Sequence, residues 1–397
     1  MDPNTGIPAA ELQLRRETLL EHVRGNELTG FALFGDDYVR YFTGFNFLAT
    51  ERPVAVAGNA SGDLCAFVPE FEVARVRAET AFEHVEAYPE YPGIEHPLRI
   101  LAGVLREFGV TGPVGADQDG YPGILGYQGP ALSEVTGEPV RPLAPFIESM
   151  MVRKSEAEVE LIRESARWCE HAHRLLQEYT RPGATEAEAS LRAGHEATLA
   201  LLETLDGSYG GQQASSDGVS AGYRGQIGLR SSWAHAVAHN IRFEEGDVLV
   251  TETSAPIWGY NAELERAMII GEPTDEMRRL FDHTVAAQEV AFAALRPGVT
   301  CAEVDAAVLS YFEENHLLPY WRQHVGHAIG LRNHEAPFLD VGDHTVVEPG
   351  MVFTIEPGLY SDEIGGFRHS DTVVVTPDGI DSLTSYPKDI ESLTLPA

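Results

Sequence analysis

One apolar strand near the end of the chain constrains the fold more than any other feature of the sequence. Residues 351–355 (Met-Val-Phe-Thr-Ile) form an extended segment with apolar side chains on both faces, between two Pro-Gly pairs. Such a strand is stable only when both faces are buried. It ends at Glu356, and the apolar run 248–251 ends in the same way at Glu252. A carboxylate at the end of a buried strand is costly unless it is paired, hydrogen-bonded or bound to a metal, so both glutamates are candidate site residues.

The length and the pattern of elements predict two domains. At about 150 residues per domain, 397 residues are enough for two. Short apolar runs and helical spacing predict a small α/β domain over residues 1–148, with a Pro-containing stretch at 141–145 as a candidate linker. Residues 149–397 are predicted to form an α+β domain of long helices against a mostly antiparallel sheet. Its first helix begins after Ser155, which can form a capping box with Glu158. Further helices are predicted at 185–202, 275–295 and 301–315.

The charge balance disfavours several classes of partner. The chain has 28 Lys+Arg and 61 Asp+Glu residues, which gives a formal net charge of −33. A field this negative argues against nucleic acids and anionic membranes. The spread of the acids along the chain favours an acidic, halophilic surface over the alternative, a binder of cationic ligands. The sequence has no run of 18 apolar residues, no secretory leader pattern and no cysteine cluster, so we expect a cytoplasmic protein without a disulfide framework.

Histidines and carboxylates recur at predicted strand ends in the second domain, whereas the usual serine-hydrolase, nucleotide-binding and zinc-protease motifs are missing from the sequence. Glycines beside them let a ligand approach the backbone, and the polar side chains can serve as metal ligands or as acid/base groups. Each residue alone also fits a satisfied buried polar group, but the whole set in this order favours a hydrolytic site. The candidates are His235, Glu252, Glu263, His327, His334, Glu356 and Arg368.

These segments, in this order, resemble the pita-bread fold of the superfamily of methionine aminopeptidases, Xaa-Pro peptidases and creatinases. The resemblance covers residues 151–378 and rests above all on the stretches 326–337 and 348–358. In the first domain, residues 41–44 (Tyr-Phe-Thr-Gly) resemble the N-terminal domain of prolidases and creatinases. The resemblance implies a creatinase-type α/β domain followed by an α+β pita-bread catalytic domain, and a homodimer.

The resemblance also implies a ligand set, which this chain has altered. Peptidases of the superfamily bind two divalent ions through two Asp, one His and two Glu. The corresponding positions here are Glu252, Glu263, His327, Glu356 and Ser370. Two positions match, two carry a side chain longer by one methylene, and the last, which bridges both ions in those peptidases, has lost its carboxylate. A neutral Ser is a poor ligand for a hard ion, so we predict no two-metal centre and no other cofactor. A single Mn, Zn, Co or Fe ion on the first four residues, with His369 as an extra candidate ligand, is left open.

The metal-free branch of the superfamily suggests the reaction. The chain shares the segment 264–266 (Leu-Glu-Arg) with creatinases and resembles ectoine hydrolases, which open a C–N bond without metals. We therefore predict a hydrolase that cleaves a C–N bond of a small polar, zwitterionic molecule. His235 falls at the position of the creatinase general-base histidine and is the predicted base or proton shuttle. Glu252 is the predicted nucleophile or the partner of a substrate cation, and Glu263 is expected to contact substrate.

The other candidates are assigned to the transition state and to substrate binding. His327 and His334 are expected to stabilise the developing oxyanion or to protonate the leaving nitrogen. Glu356 is expected to orient one of these histidines or to activate water. Arg368 is predicted to clamp a substrate carboxylate, and Tyr260 to line the pocket.

Two alternatives to this function stay open. One is a metal-dependent Xaa-Pro aminopeptidase or dipeptidase, whose activity a chelator would abolish. The other is a non-catalytic binding module. The partner is in either case a small molecule or a dipeptide whose identity the sequence does not fix. We also expect Glu265 and Arg266 to form a structural ion pair with each other.

Overall fold

The computed structural model describes residues 6–205 and 218–397, which form two compact units. The change of unit falls between Met151 and Val152. The stretch 141–145 is not the linker that its prolines suggested, because it holds the end of a strand and the beginning of a helix of the first unit.

The first unit is a mixed sheet with helices, as predicted for a small α/β domain. Its strands are Gly30–Leu33 (β1), Ala55–Asn59 (β2), Leu64–Pro69 (β3), His84–Tyr88 (β4), Val114–Ala116 (β5) and Val140–Pro142 (β6). Its helices are Ala9–Gly25 (α1), Asp36–Thr43 (α2), Val73–Glu79 (α3), Pro97–Glu107 (α4), Leu132–Thr136 (α5) and Ala144–Met151 (α6). The strand order is β4-β3-β2-β1-β5-β6, and β1 pairs antiparallel with β2 but parallel with β5. Phe67 and Tyr88 of the sheet pack with Leu98 and Leu101 of α4 in one buried core.

The second unit combines long helices with several short sheets. Its helices are Glu156–Tyr179 (α7), Glu186–Leu205 (α8), Asp275–Ala294 (α9), Cys301–Glu314 (α10) and Ile390–Leu393 (α11). Its first strands are Ser220–Gly222 (β7), Val248–Val250 (β8), Glu252–Ser254 (β9), Glu263–Leu264 (β10), Ala267–Ile270 (β11), Gly326–Ala328 (β12) and Glu335–Leu339 (β13). The remaining strands are Val352–Ile355 (β14), Gly358–Ser361 (β15), Gly365–Arg368 (β16), Asp371–Thr376 (β17), Gly379–Ser382 (β18) and Thr394–Leu395 (β19).

Local sequence explains where two of the long helices begin. The Ser155 side chain accepts a hydrogen bond from the backbone of Glu158, whose side chain accepts one in return, so the predicted capping box of α7 is present. Thr300 and Glu303 form the same box at the start of α10. The long helices begin and end within a few residues of their predicted positions.

The strand with apolar side chains on both faces is buried, as its sequence predicts. It is β14, the middle strand of the antiparallel order β13-β12-β14-β17-β18, and all four of its residues are buried. The other pairings in this unit are also antiparallel, except that of β11 with β19. No helix in the described part of the chain is long and apolar enough to cross a membrane.

Candidate active site

Three side chains from separate strands converge in the second unit. Glu263 is the first residue of β10, His327 lies in β12, and Glu356 directly follows β14. One carboxylate oxygen or ring nitrogen from each residue lies within 4.8 Å of the other two. His327 is 0 % exposed and Glu356 8 %. Because these polar groups are withdrawn from water together, each must be satisfied by its neighbours.

His327 is oriented by its own strand and charged by Glu356. Its Nδ1 donates a hydrogen bond to the carbonyl of Ala328 at 3.0 Å, which leaves Nε2 facing Glu356 Oε1 at 3.1 Å. Burial lowers the pKa of His327, but the Glu356 carboxylate outweighs burial and raises that pKa to about 9. Burial has the opposite effect on Glu356 and raises its pKa, but the hydrogen bond and charge of His327 outweigh burial and lower the pKa of Glu356 to about 2. The two side chains therefore form an imidazolium–carboxylate pair when no ion displaces the proton.

Two further groups of the cluster have pKa values that are shifted in favour of their neutral forms. The ring of His334 stacks on His327 with the ring centroids 3.8 Å apart, and burial together with the charge of His327 lowers the pKa of His334 to about 4. Burial and the neighbouring carboxylates raise the pKa of Glu263 well above its usual range. The hydroxyl of Ser370 donates a hydrogen bond to Glu263 Oε1 at 2.8 Å. His334 is thus a proton acceptor at neutral pH, and the raised pKa of Glu263 favours the acid form that can donate a proton.

Two arginines neutralise two further glutamates beside the cluster. Arg368 forms a bidentate ion pair with Glu265, and both side chains are almost fully buried. Nε of Arg224 lies 2.5 Å from Glu252 Oε2, and another nitrogen of the same guanidinium lies 3.8 Å from Glu265. Positive charge is therefore built into the site by the chain itself.

These ion pairs correct two predictions. Arg368 is not available to clamp a substrate carboxylate, because both oxygens of Glu265 engage its guanidinium. Glu265 and Arg266 are not an ion pair with each other. Arg266 binds Asp371 instead, with 2.8 Å between nitrogen and oxygen, and donates to the backbone carbonyl of Glu265.

Three other candidates lie outside the group of ligand atoms. Glu252, a candidate ligand for a single ion, is held by Arg224 and does not join the three converging donors. Tyr260 is buried and donates its hydroxyl hydrogen to Glu158 at 2.8 Å, so it supports the start of α7 rather than lining a pocket. His369 packs edge-on against an aromatic ring of α9, with neither ring nitrogen hydrogen-bonded to any residue that the structure describes. It is not one of the three converging donors.

His235 lies on an exposed loop that follows the 3-10 helix Gly228–Ser232. Burial is the main cause that lowers the pKa of His324 and of His334, and the His235 ring is the smallest of the contributing causes, which places His235 near the cluster. Its role as base or proton shuttle stays a prediction.

Arg224 was not singled out by any motif. It follows β7 at a φ of 48°, a conformation that residues other than glycine seldom adopt. The ion pair between Arg368 and Glu265 did have a signal in the sequence. Position 370 carries a Ser where the resemblance implies a Glu, and position 265 carries a Glu.

An α/β unit followed by an α+β unit whose strand ends carry a buried carboxylate–histidine cluster is the arrangement predicted for a two-domain hydrolase with the pita-bread fold. The chain belongs to metallopeptidase family M24, whose model matches residues 160–377. The creatinase/prolidase N-terminal domain matches residues 15–124. These matches confirm the predicted family and the predicted pairing of domains.

Named relatives extend over most of the chain. The uncharacterized peptidase YqhT of Bacillus subtilis is 29 % identical over 366 residues, which is 91 % of this chain and 95 % of that protein. The Xaa-Pro dipeptidase of Pyrococcus horikoshii is 30 % identical over 244 residues, 62 % of this chain and 66 % of that protein. The solved structure of the Xaa-Pro dipeptidase from Bacillus anthracis superposes with a TM-score of 0.81 at 25 % identity, covering 97 % of this chain and 100 % of that one.

A metallopeptidase family implies divalent metal ions, and the residues present fit one ion but not two. Glu263, His327 and Glu356 offer two carboxylates and an imidazole within 4.8 Å, a suitable donor set for a single ion. Among the residues that the structure describes, a second set of donors does not come together with these three: Ser370 offers a hydroxyl that is already bonded to Glu263, and Glu252 is held by an arginine.

Proposed function

We propose that this chain hydrolyses a C–N bond in a small polar molecule, of dipeptide size or below, at a centre without a pair of metal ions. The observation that carries the proposal is the local charge balance. Arg224 and Arg368 neutralise Glu252 and Glu265, so that a second ion is not required to compensate these acids. The dipeptidase names of relatives support a small substrate with an amide-type bond.

The remaining groups are suited to acid–base hydrolysis. An ion held by Glu263, His327 and Glu356 would supply polarisation of the scissile carbonyl and acidify a bound water. In the ion-free centre, the His327 imidazolium stabilises the negative oxygen of the transition state, and Glu356 keeps that ring charged and oriented. Neutral His334 accepts a proton from the attacking water, and protonated Glu263 donates one to the leaving nitrogen. His235, on its exposed loop, relays the accepted proton to solvent.

Assays on a defined panel test the proposal. The protein is incubated with Xaa-Pro dipeptides and with small zwitterionic C–N solutes, with chelator or added Mn²⁺, while its metal content is measured. We expect turnover with no more than one ion per chain and a loss of about 10²–10⁴-fold in kcat/KM for Glu263→Gln. The matched control Glu272→Gln changes an 85 % exposed side chain and should keep full activity. Activity that requires two ions per chain would contradict the proposal, and tight binding without turnover would favour a binding module.

A single-ion Xaa-Pro dipeptidase is the second candidate. It is favoured by the three converging donors Glu263, His327 and Glu356 together with the dipeptidase relatives. Cleavage of Xaa-Pro dipeptides that stops with chelator and returns with one equivalent of Mn²⁺ would select it over a metal-free hydrolase. The homodimer and the cytoplasmic location stay predictions, to be tested by light scattering and by cell fractionation.

A further inference from the structure

Arg224 carries a side chain at a position where the backbone favours glycine. Its φ is 48°, in the left-handed region that other residues seldom adopt. Both neighbours hold this conformation, because Tyr223 is fully buried and the N–H of Gly225 donates to the Glu186 carboxylate at 2.5 Å. Strained backbone of this kind is found most often at functional sites. Because glycine would fit here without strain, the reason for an arginine lies in its guanidinium.

The guanidinium of Arg224 belongs to a row of five charged side chains that alternate in sign. The row begins at Glu356 in the cluster, where Nε of Arg368 lies 3.7 Å from Glu356 Oε2. Arg368 forms its bidentate pair with Glu265, and a nitrogen of Arg224 lies 3.8 Å from Glu265 Oε1. Glu252 ends the row, with its Oε2 2.5 Å from Nε of Arg224. The row therefore leads from the buried cluster to the pair of Arg224 and Glu252.

The two arginines of this row differ in what a ligand can reach. The side chain of Arg368 is 3 % exposed, and both oxygens of Glu265 bind its guanidinium. The side chain of Arg224 is 41 % exposed, and that of Glu252 is 27 % exposed. Neither Arg224 Nε nor Glu252 Oε2 forms an aligned hydrogen bond with a residue that the structure describes. Opening this half-exposed pair costs little, whereas opening the buried pair would leave two charges uncompensated.

We propose that Arg224 is a specificity-determining residue that binds a carboxylate of the substrate and gives up its contact with Glu252 to do so. This inference rests on the proposed function and names the class of substrate within it: a small molecule that carries both a carboxylate and a cationic nitrogen. The released Glu252 pairs with the cationic nitrogen, so every charge of the row stays compensated. Arg224 thus has the role that the sequence predicted for Arg368.

Pairs of ligands that differ only in their carboxylate test this inference. L-alanyl-L-proline is compared with L-alanyl-L-prolinamide, and L-proline with L-prolinamide, by titration calorimetry and, for the cleaved compounds, by kcat/KM. We expect the parent protein to favour each acid over its amide by about 10- to 100-fold, the contribution of a hydrogen bond between charged groups. In Arg224→Gln this ratio should fall close to one. Arg224→Lys keeps the charge without the planar fork and should retain part of the ratio.

A matched variant separates recognition from a general effect on the fold. Arg192→Gln removes a guanidinium from another exposed arginine–glutamate pair, on α8, and should keep the acid-to-amide ratio of the parent protein. An Arg224→Gln variant with a native circular dichroism spectrum that binds acid and amide equally less well would assign Arg224 a structural role and overturn the inference. A parent protein that binds none of the acids more tightly than its amide would also overturn it.

Binding and turnover together distinguish this inference from the proposed function. Cleavage of acids and amides with equal kcat/KM would support the proposed function and overturn the inference. A parent protein that favours the acids in calorimetry, loses this preference in Arg224→Gln and cleaves none of them would remove the proposed function and keep Arg224 as the residue that binds the carboxylate.

Discussion

His327 is the residue whose chemistry depends most on its neighbours. Burial alone would favour a neutral ring, yet Glu356 raises its pKa to about 9. The ring is therefore protonated at neutral pH in the ion-free protein and loses its proton as the pH rises through 9. Because the two groups interact strongly, they titrate as a unit rather than one by one.

Replacing Glu356 with Gln removes the charge while keeping the size of the side chain. We expect the pKa of His327 to fall from about 9 towards or below its ordinary 6.5, since burial then acts with less opposition. The kcat/KM at pH 7 should drop by about 10²–10⁴-fold, because the oxyanion loses its cation. An NMR titration of the histidine side chains, with exposed Glu272→Gln as control, checks the shift. A His327 pKa that stays near 9 in Glu356→Gln would refute the pairing.

At the scale of elements, one buried ion pair ties α7 to β13. Lys154, just before α7, lies 2.7 Å from Glu335, and both side chains are 2 % exposed. The backbone N–H of Arg332 donates to the other oxygen of Glu335 at 3.0 Å. His334 directly precedes Glu335, so this pair holds in place the segment that stacks on His327.

Replacing only one partner of this pair should destabilise the protein strongly. Lys154→Met leaves a buried carboxylate without its cation, and we expect a loss of about 3–5 kcal/mol in the free energy of unfolding. The double variant Lys154→Met with Glu335→Met should recover most of that loss, because no buried charge is left uncompensated. Urea denaturation measures both. The control Arg192→Met breaks the exposed pair with Glu196 and should lower the free energy of unfolding by about 0.2–1 kcal/mol. If Lys154→Met lowered it by no more than this control, the Lys154–Glu335 pair would not behave as a buried ion pair.

Helix α10 carries a buried acid that should make stability depend on pH. Asp305 is 0 % exposed, and neither carboxylate oxygen is hydrogen-bonded to a residue of the described chain. Burial and the charge of Asp340 raise its pKa from 3.8 to about 6. Since the folded state holds this proton more tightly than the unfolded state, ionisation of Asp305 lowers stability as the pH rises through this range.

Asp305→Asn should therefore stabilise the protein at pH 7, by about 1 kcal/mol, and the gain should vanish below pH 4. Chemical denaturation of variant and parent at both pH values gives the comparison. A variant that is less stable than the parent at pH 7 would show that the ionised carboxylate is satisfied in the fold.

At the scale of the whole molecule, the net charge of −33 dominates the electrostatics. Like charges repel most in dilute buffer, where the screening length is about 10 Å at 0.1 M salt, and far less at about 3 Å in 1 M salt. Surface repulsion of this kind opposes the compact state without changing the fold.

Raising KCl from 0.1 M to 2 M should raise the melting temperature by several degrees, because screening removes self-repulsion. Calorimetry in KCl, compared with sucrose of equal osmolality, separates screening from exclusion of the solute. A melting temperature that rises equally in both would assign the effect to exclusion rather than to charge.

The features that the sequence predicted are those that depend on residues close together in the chain or on recognisable motifs. The capping box of Ser155 and Glu158 involves residues three apart, and the burial of β14 follows from its own side chains. The convergence of His327 and Glu356 was available through the resemblance, since both lie in recognisable motifs. These features needed no knowledge of which strands pair.

The arginine pairs depend on strand register, which no single segment encodes. Arg368 meets Glu265 only because Glu265 and Ser370 are opposite each other, and the neighbouring Arg266 was an equally plausible partner from sequence alone. Arg224 reaches Glu252 because β7 pairs with β9. These long-range pairings decide the charge of the site and were therefore the part that sequence reasoning missed.

The burial of Lys154 determines how the protein can be labelled. The sequence contains two lysines, Lys154 and Lys388. The side chain of Lys154 is 2 % exposed, whereas that of Lys388 is 26 % exposed. Acylating dyes and amine-reactive resins therefore have a single lysine ε-amine to react with, so coupling through lysine would attach the folded protein to a probe or a support at one defined point.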